Sequence, residues 1–177
     1  MAGFERVLAV PQSQCSDDLY RQHQIVWGLL APDLRPDDSF VYHWVSRPRG
    51  ALITARVPRP ARGAARVALL ASGVLTVQLL AGSREADSGA YRALTDEECE
   101  PWFDERMIRA GFAVSNLRTT AATWLSGLKN GMRIRIPVRT FTADYLVTDD
   151  GAARAACMTG VGRGKRFGCG LLQLTRS

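Results

Sequence analysis

The sequence predicts an α+β fold made of two tandem ferredoxin-like domains, the βαββαβ topology that RNA-recognition modules also use. The signals for regular structure run strand, helix, strand, strand, weak helix, strand, and then largely repeat in that order. The 177 residues, 46% hydrophobic and 23% charged, are enough for two small soluble domains. The boundary is expected near Gly73, which gives an N-terminal domain of residues 1–73 and a C-terminal domain of residues 74–177.

The first domain is predicted from one amphipathic helix and several short apolar runs. Asp18–Leu30 has helical apolar spacing, with Ser16 or Asp17 as its N-cap and Pro32 just beyond its end. Pro58–Gly63 is a linker in which the second helix of the unit is degenerate or absent. The apolar runs between turn residues predict strands over Phe4–Val10, Phe40–Val45, Ala51–Val57 and Arg66–Ala71.

Two local motifs define the second domain. Thr95 and Glu98 form a capping box that starts a helix through about Arg109. Asn130-Gly131 is the strongest hairpin signal in the chain. The other predicted elements are a strand over Val74–Ala81, joined tightly to the preceding strand at Ser72-Gly73, a polar loop over Ser83–Gly89, strands over Phe112–Leu117, Trp124–Leu128, Met132–Val147 and Leu171–Thr175, and a short helix over Asp149–Met158.

Basic residues are concentrated in the C-terminal part of the chain. Residues 1–106 carry 12 basic and 14 acidic side chains, a net charge of −2, whereas residues 107–177 carry 11 and 3, a net charge of +8. Only Lys129 and Lys165 are lysines, and arginine suits bidentate recognition of phosphate and stacking on bases. This distribution favours a nucleic-acid partner over a merely soluble basic surface.

The cysteines and histidines do not form a metal-binding pattern. Cys15, Cys99, Cys157 and Cys169 are scattered without a C-x-x-C pair, which predicts reduced thiols, no metal and no cofactor. No signal peptide or membrane-spanning run is recognisable, so the expected location is the cytoplasm and no membrane partner is expected.

A glycine-rich segment precedes the last strand and is the strongest candidate for a phosphate-binding loop. Glycines at such density let the backbone approach a ligand closely and turn N–H groups toward an anion. A flexible surface turn is the alternative. A nucleotide-binding P-loop is disfavoured because the spacing is one residue short and Arg166 stands where the hydroxyl is needed. The loop residues expected to bind a phosphate chain are Gly160, Gly162, Arg163, Gly164, Lys165 and Arg166, with Gly168 and Gly170 completing the turn.

The first helix carries a candidate general acid–base pair. Tyr20, His23 and Trp27 cluster beside the apolar arc, and Tyr20 and His23 are i,i+3 neighbours whose polar ends can reach one small group. Histidine is the usual residue for proton transfer near neutral pH. A histidine satisfied locally at the edge of the core is the alternative. His43 alternates with apolar strand residues and is interpreted as a core histidine.

The predicted hairpin carries a row of arginines. Arg133, Arg135 and Arg139 share one strand face by the period of two, and Lys129 lies at the tip. A β-ribbon of this kind can lie against the backbone of a nucleic-acid duplex. A solvated edge that charge protects from aggregation is the alternative.

Two segments resemble a known family. Asp18-Leu19-Tyr20-Arg21-Gln22-His23-Gln24, with Trp27 following, resembles the first-helix motif of the CRISPR-associated CasE endoribonucleases. Gly160–Leu172 resembles their C-terminal glycine-rich loop and last strand, and the resemblance extends over nearly the whole chain. It implies tandem ferredoxin-like domains and metal-independent cutting of precursor CRISPR RNA at the base of the repeat hairpin.

The resemblance also implies roles for individual residues. The ribose 2′-hydroxyl attacks the adjacent phosphate and leaves a 2′,3′-cyclic phosphate, with His23 transferring the proton, Tyr20 positioning or assisting, and Lys165 stabilising the phosphorane. The implied partners are the repeat hairpin, the guide RNA that is retained after cutting, and other subunits of a type I-E or type IV effector complex. A non-cleaving guide-RNA holder stays open as an alternative, and so does a general single-stranded RNA binder, which the 8% aromatic content supports least.

Overall fold

The computed structural model describes residues 3–176, apart from the side chain of Lys129. Its first part, residues 4–66, contains one sheet and one long helix. Its second part, residues 72–175, contains a second sheet and two further α-helices. The elements of the first part are β1 Phe4–Pro11, α1 Leu19–Leu30, β2 Val41–Arg47, β3 Gly50–Val57 and β4 Ala65–Arg66. Those of the second part are β5 Ser72–Leu80, β6 Gly82–Arg84, β7 Tyr91–Ala93, α2 Asp96–Arg109, β8 Phe112–Thr119, β9 Thr123–Lys129, β10 Met132–Val147, α3 Asp150–Thr159 and β11 Gln173–Thr175.

The first sheet has the antiparallel order β2-β3-β1-β4. Helix α1 connects β1 to β2 and packs Val26 and Leu30 against buried residues of the sheet such as Tyr42 and Ile53. No helix forms between β3 and β4 in the described part of the chain, as the Pro- and Gly-containing linker predicts. The unit is therefore a ferredoxin-like sheet with one of its two helices missing.

The second sheet repeats the same strand order with its own elements, β11-β5-β10-β8. Helices α2 and α3 supply Phe103, Met107 and Ala153 to a core that also contains Phe112 and Phe141. The rings of Phe103 and Phe141 stack with their centroids 4.7 Å apart. The fold prediction of two ferredoxin-like units is confirmed by these two sheets.

Strand β10 is long enough to belong to two structures at once. Its C-terminal half pairs with β8 inside the sheet, while its N-terminal half pairs with β9 in a hairpin that extends beyond the sheet. Asn130 and Gly131 close that hairpin with φ values of 50° and 77°, the conformation that favours Asn-Gly in tight turns.

Three local predictions are corrected. Arg66–Ala71 and Val74–Ala81 do not form a hairpin, because β4 pairs with β1 whereas β5 pairs with β10 and β11. A Cβ on Gly73 would lie 2.2 Å from the carbonyl oxygen of Thr175, so this glycine is needed for the close approach of β11 and not for a turn. The polar loop over Ser83–Gly89 contains part of the small β6–β7 hairpin, and Leu171 and Leu172 lie outside β11.

The change from one sheet to the other falls between Arg66 and Ser72. The predicted domain boundary after Gly73 stays a prediction. Ser72 and Gly73 are the first two residues of β5. One buried side chain links the two parts: Arg56 of β3, only 2% exposed, donates from Nη1 to the carbonyl of Cys157 (2.6 Å) and from Nη2 to that of Leu172 (2.6 Å). Within residues 3–176, no helix is both long and apolar enough to cross a membrane.

Candidate functional site

The N-terminus of α1 is capped by Asp18, and not by Ser16 or Asp17 as the sequence predicts. One carboxylate oxygen accepts from the N–H groups of Tyr20 and Arg21, both at 2.9 Å. The other accepts from the N–H of Leu128 in β9, at 2.6 Å. These backbone donors, that of Arg21 first, hold the pKa of Asp18 below its usual range. A single carboxylate thus caps the helix and ties it to the hairpin.

His23 lies one turn further along α1, in an aromatic environment. Its ring stacks on Phe40 (5.7 Å between centroids) and on Tyr42 (6.2 Å). Its Nδ1 is buried and has no hydrogen-bond partner among the described residues. Burial, and then the positive charge of Arg166, lower the pKa of His23. The imidazole is therefore neutral at neutral pH and able to accept a proton.

Tyr20 is half-buried on the same helix, three residues before His23. The i,i+3 spacing places the two side chains on one side of α1, as the sequence predicts. Trp27, 42% exposed, packs on Phe40 with a centroid distance of 5.8 Å. The predicted group of Tyr20, His23 and Trp27 therefore borders an aromatic patch that β2 and the residue before it complete.

The turn Lys165–Phe167 packs against both α1 and β2. The hydroxyl of Tyr42 donates to the carbonyl of Arg166 at 2.9 Å, and burial raises the pKa of Tyr42 so that its proton stays in place. Lys165 is half-buried, and desolvation lowers its pKa. The structure thus brings the predicted cations at 165 and 166 to the helix that carries His23.

The glycines of the loop are required by its backbone conformation. Gly160, Gly162, Gly164, Gly168 and Gly170 all have φ between 73° and 91°. A Cβ on Gly170 would lie 2.5 Å from the carbonyl oxygen of Val161. Any other L-residue at these positions would be strained, because its Cβ disfavours a positive φ.

The prediction that the loop turns its N–H groups toward an anion is wrong for the base of the loop and stays a prediction for its tip. Gly160 N–H donates to Ala156, and Val161 N–H to Gly170, so the base of the loop bonds to itself and to α3. Phe167, Gly168 and Cys169 donate to carbonyls within the loop, and Gly170 donates to the carbonyl of Gln78 in β5. The N–H groups from Gly162 to Arg166 form none of these bonds and lie at the exposed or half-buried tip.

The loop divides its cations between two helices. Arg166 is close enough to His23 to add to the lowering of its pKa by burial. The pKa of Arg106 in α2 is lowered chiefly by burial, and the charges of Arg109 and then Arg163 add to this. The guanidinium groups of both loop arginines belong to exposed residues. Arg166 therefore lies on the side of α1, and Arg163 on the side of α2.

Two of the three arginines predicted to lie on the outer face of the hairpin are exposed there. Arg133 and Arg135 are exposed and share an outer face with Trp124 and Leu128, while Ile136 on the other face is buried. The guanidinium of Arg135 lies 4.7 Å from the centroid of the Trp124 ring, a cation–π contact that holds it in place. The side chain of Lys129 lies outside the described part of the structure.

The prediction that Arg139 extends this exposed row is wrong. Arg139 is 6% exposed and donates to Asp96 (2.6 Å), to the carbonyl of Leu94 (2.9 Å) and to that of Thr120 (3.1 Å). The period of two places it on the same strand face, but the start of α2 and the segment around Thr120 cover that face at this depth. Its guanidinium is committed to the fold.

His43 does not join the site. It is half-buried, and burial chiefly lowers its pKa, with a backbone hydrogen bond at Gly168 acting in the opposite direction. The sequence predicts a core histidine, whereas the structure places His43 at the edge of the core. Within residues 3–176, no group of three or more His, Cys, Asp or Glu side chains could hold a metal ion.

Sequence reasoning missed the part played by Tyr42, which touches His23 and holds the turn. The sequence contains a pattern that could have pointed to it: Phe40, Tyr42 and Trp44 alternate, and the period of two places these three aromatic side chains on one strand face. Only the partner of its hydroxyl, the backbone of a residue 124 positions away, lies beyond any local pattern.

The influence of Arg166 on His23 leads to a direct prediction. Burial is the larger cause of the lowered pKa of His23, and the positive charge of Arg166 is the second. Arg166→Gln removes that charge, so we expect the pKa of His23 to rise toward its ordinary value. The carbonyl that Tyr42 binds is unaffected by the substitution. NMR titration of the imidazole protons measures the change directly, because the chain has only two histidines and His43 serves as the internal reference. An unchanged pKa of His23 would show that the guanidinium is not electrostatically coupled to it.

Comparisons with known proteins give a consistent result. A family model described as CRISPR associated protein matches residues 65–176. The Cse3 protein of Thermus thermophilus, described as bound to an RNA representing a pre-cleavage complex, has a TM-score of 0.78 and 16% identity, covering 99% of this chain and 100% of that one. A structure of the CRISPR endoribonuclease Cse3 bound to a 19-nucleotide RNA has a TM-score of 0.76 and 15% identity, covering 98% and 99%.

A chain from a CRISPR RNA-guided surveillance complex has a TM-score of 0.73 and 18% identity, covering 98% of this chain and 100% of that one. A search of curated protein sequences gives no match. At these identities the solved structures show that the fold is shared. The family model covers more than half of the sequence, and the chain therefore belongs to the family of CRISPR-associated proteins.

Proposed function

We propose that the protein is an endoribonuclease that cuts precursor CRISPR RNA at the repeat hairpin by attack of a ribose 2′-hydroxyl. The observation that carries the proposal is a neutral, desolvated His23 beside a turn whose cations are Lys165 and Arg166. A neutral imidazole and a nearby cation are the two groups that such a transesterification needs. Structural relatives described as an RNA-bound endoribonuclease and as part of a surveillance complex support it.

In the proposed reaction, His23 accepts the proton of the 2′-hydroxyl as the oxygen attacks the adjacent phosphorus. The P–O5′ bond breaks, the leaving oxygen takes a proton from solvent water, and the products are a 2′,3′-cyclic phosphate and a 5′-hydroxyl. The imidazolium of His23 then returns its proton to the solvent. Tyr20 positions the reacting nucleotide, and Lys165 offsets the negative charge of the phosphorane. Burial strengthens that charge stabilisation because the local dielectric constant is low.

The imidazole and the ammonium supply the base and the positive charge that a metal ion supplies in other nucleases, so the proposed reaction runs without a metal. The same residues of the hairpin, Arg133 and Arg135, would hold the RNA stem before and after the cut. Retention of the product hairpin would make the protein a subunit of the effector complex that carries the guide RNA, with the other subunits as its partners.

The test is incubation of the purified protein with a repeat hairpin from its own locus, in excess EDTA. We expect one cut whose 5′ fragment ends in a cyclic phosphate, identified by mass spectrometry and by resistance to phosphatase until acid opens the ring. A matched RNA with a 2′-deoxynucleotide at the cut site should remain intact, because the nucleophile is missing. Tight binding without any cut would overturn the nuclease and favour a guide-RNA holder.

A further inference from the structure

We propose that a cavity between the loop turn and the hairpin binds one unpaired nucleobase of the RNA, next to the scissile phosphate. This inference rests on the proposed function and adds a recognition subsite to it. The cavity has a volume of about 350 Å³. The residues that line it are Asp17, Gln22, Trp44, Ser46, Gln78, Trp124, Leu125, Ser126, Phe167 and Gly168.

Aromatic surface is the first property that fits a base. Trp44 is half-buried, Trp124 is 38% exposed, and Phe167 comes from the turn that also carries Lys165 and Arg166. RNA-binding proteins recognise splayed single-stranded bases by stacking them on aromatic side chains, because every base has a π-face. Two tryptophans in a small cavity suit a planar ligand of this size better than they suit a sugar or a phosphate.

The polar lining is the second property. It contains no lysine or arginine, and the guanidinium of Arg135 beside it is already engaged with the ring of Trp124, so a phosphate group would find no free counter-charge in the lining. Ser46, Gln78 and Ser126 offer donors and acceptors for the edge of a base, whereas the Gln22 amide already donates to the carbonyl of Ser16 at 2.8 Å. Asp17 is the single charged lining residue and can only accept. It favours a base with an amino group, that is adenine, cytosine or guanine, over uracil.

The position of the cavity is the third property. Trp124 and Ser126 belong to the outer face of the hairpin, the face that carries Arg133 and Arg135. A second cavity shares Asp17 and Ser126 with the first and continues to Arg133. An RNA strand whose phosphates contact these arginines would therefore pass the mouth of the cavity on its way to the turn at residues 165–167.

The test places the fluorescent base 2-aminopurine at each unpaired position of the repeat RNA in turn. Stacking on tryptophan quenches its emission, and we expect strong quenching by the wild-type protein at one position only. An abasic nucleotide at that position should lower kcat/KM by about 5- to 150-fold, the range that corresponds to loss of one base–aromatic stack. Uracil at the same position should also react more slowly than adenine or cytosine.

Variants connect the effect to the cavity. Trp124→Ala and the milder Trp44→Leu should abolish position-specific quenching and make the enzyme indifferent to the abasic nucleotide. Ile108→Ala, which trims a 61% exposed side chain on α2, should leave both intact. Equal quenching at all positions, or no abasic effect in RNA that the wild type still cuts, would overturn the subsite alone. Failure to bind the hairpin at all would overturn the proposed function together with it.

Discussion

Replacing His23 by alanine is expected to lower the single-turnover rate of repeat-hairpin cleavage by about 10²- to 10⁴-fold, the usual contribution of a positioned acid–base group. The residue is neutral at working pH because burial and Arg166 lower its pKa. The affinity for the hairpin should change little, since the imidazole is assigned to the reaction and not to holding the stem. The measurement is a single-turnover time course with the enzyme in excess, alongside a binding titration.

The matched control is Gln24→Ala, an exposed residue next to His23 on the same helix. It removes a side chain of similar length without touching the aromatic contacts of the histidine. We expect wild-type cleavage from this variant. Cleavage by His23→Ala at the control rate would exclude His23 from the mechanism and leave Tyr20 and Lys165 as the groups to test.

The double variant Arg133→Ala/Arg135→Ala is expected to weaken hairpin binding by about 10- to 100-fold at moderate salt. Each arginine that contacts a phosphate releases about one counterion on binding, so the slope of log affinity against log salt should decrease in magnitude by about two. The structure supports both residues as contacts because they are exposed on one face of the hairpin. Filter binding at four or more salt concentrations gives the slope.

A control with equal loss of charge separates local contacts from net charge. Arg109→Ala/Arg154→Ala removes an exposed arginine from α2 and a partly exposed one from α3, each paired with a carboxylate four residues away. Such surface pairs contribute little to stability, so this variant should fold normally. If it reduced the slope as much as the hairpin variant did, the hairpin would bind RNA only through the overall charge of the protein.

Local sequence patterns predict part of this structure correctly and miss the part that depends on distant contacts. The Asn130-Gly131 turn and the capping box of Thr95 and Glu98 were predicted correctly because each depends on contacts within four residues. Ser72-Gly73 was misread as a turn because the same dipeptide satisfies a different need, the close approach of a strand about 100 residues away. A local pattern cannot distinguish these two uses of glycine.

The candidate site shows the same division. His23, Lys165 and Arg166 were identified by residue type and spacing, and the fold brings their elements together. Arg139 was misassigned because strand alternation gives the face of a side chain and not what covers that face. Tyr42 was overlooked because its role is defined by a hydrogen bond between the two halves of the chain. Long-range packing decides both cases.

The buried Arg56 has a consequence for the divergence of such proteins. Its two short hydrogen bonds end on main-chain carbonyls, those of residues 157 and 172. A main-chain acceptor persists through any substitution at its own position, so mutations at either site leave the acceptor of the arginine in place. The surface residues of the two sheets can therefore change over evolutionary time without removing this link, which acts beside the Tyr42–Arg166 and Asp18–Leu128 hydrogen bonds. Only a mutation of Arg56 itself, or a shift of the backbone, would break these two hydrogen bonds of the arginine.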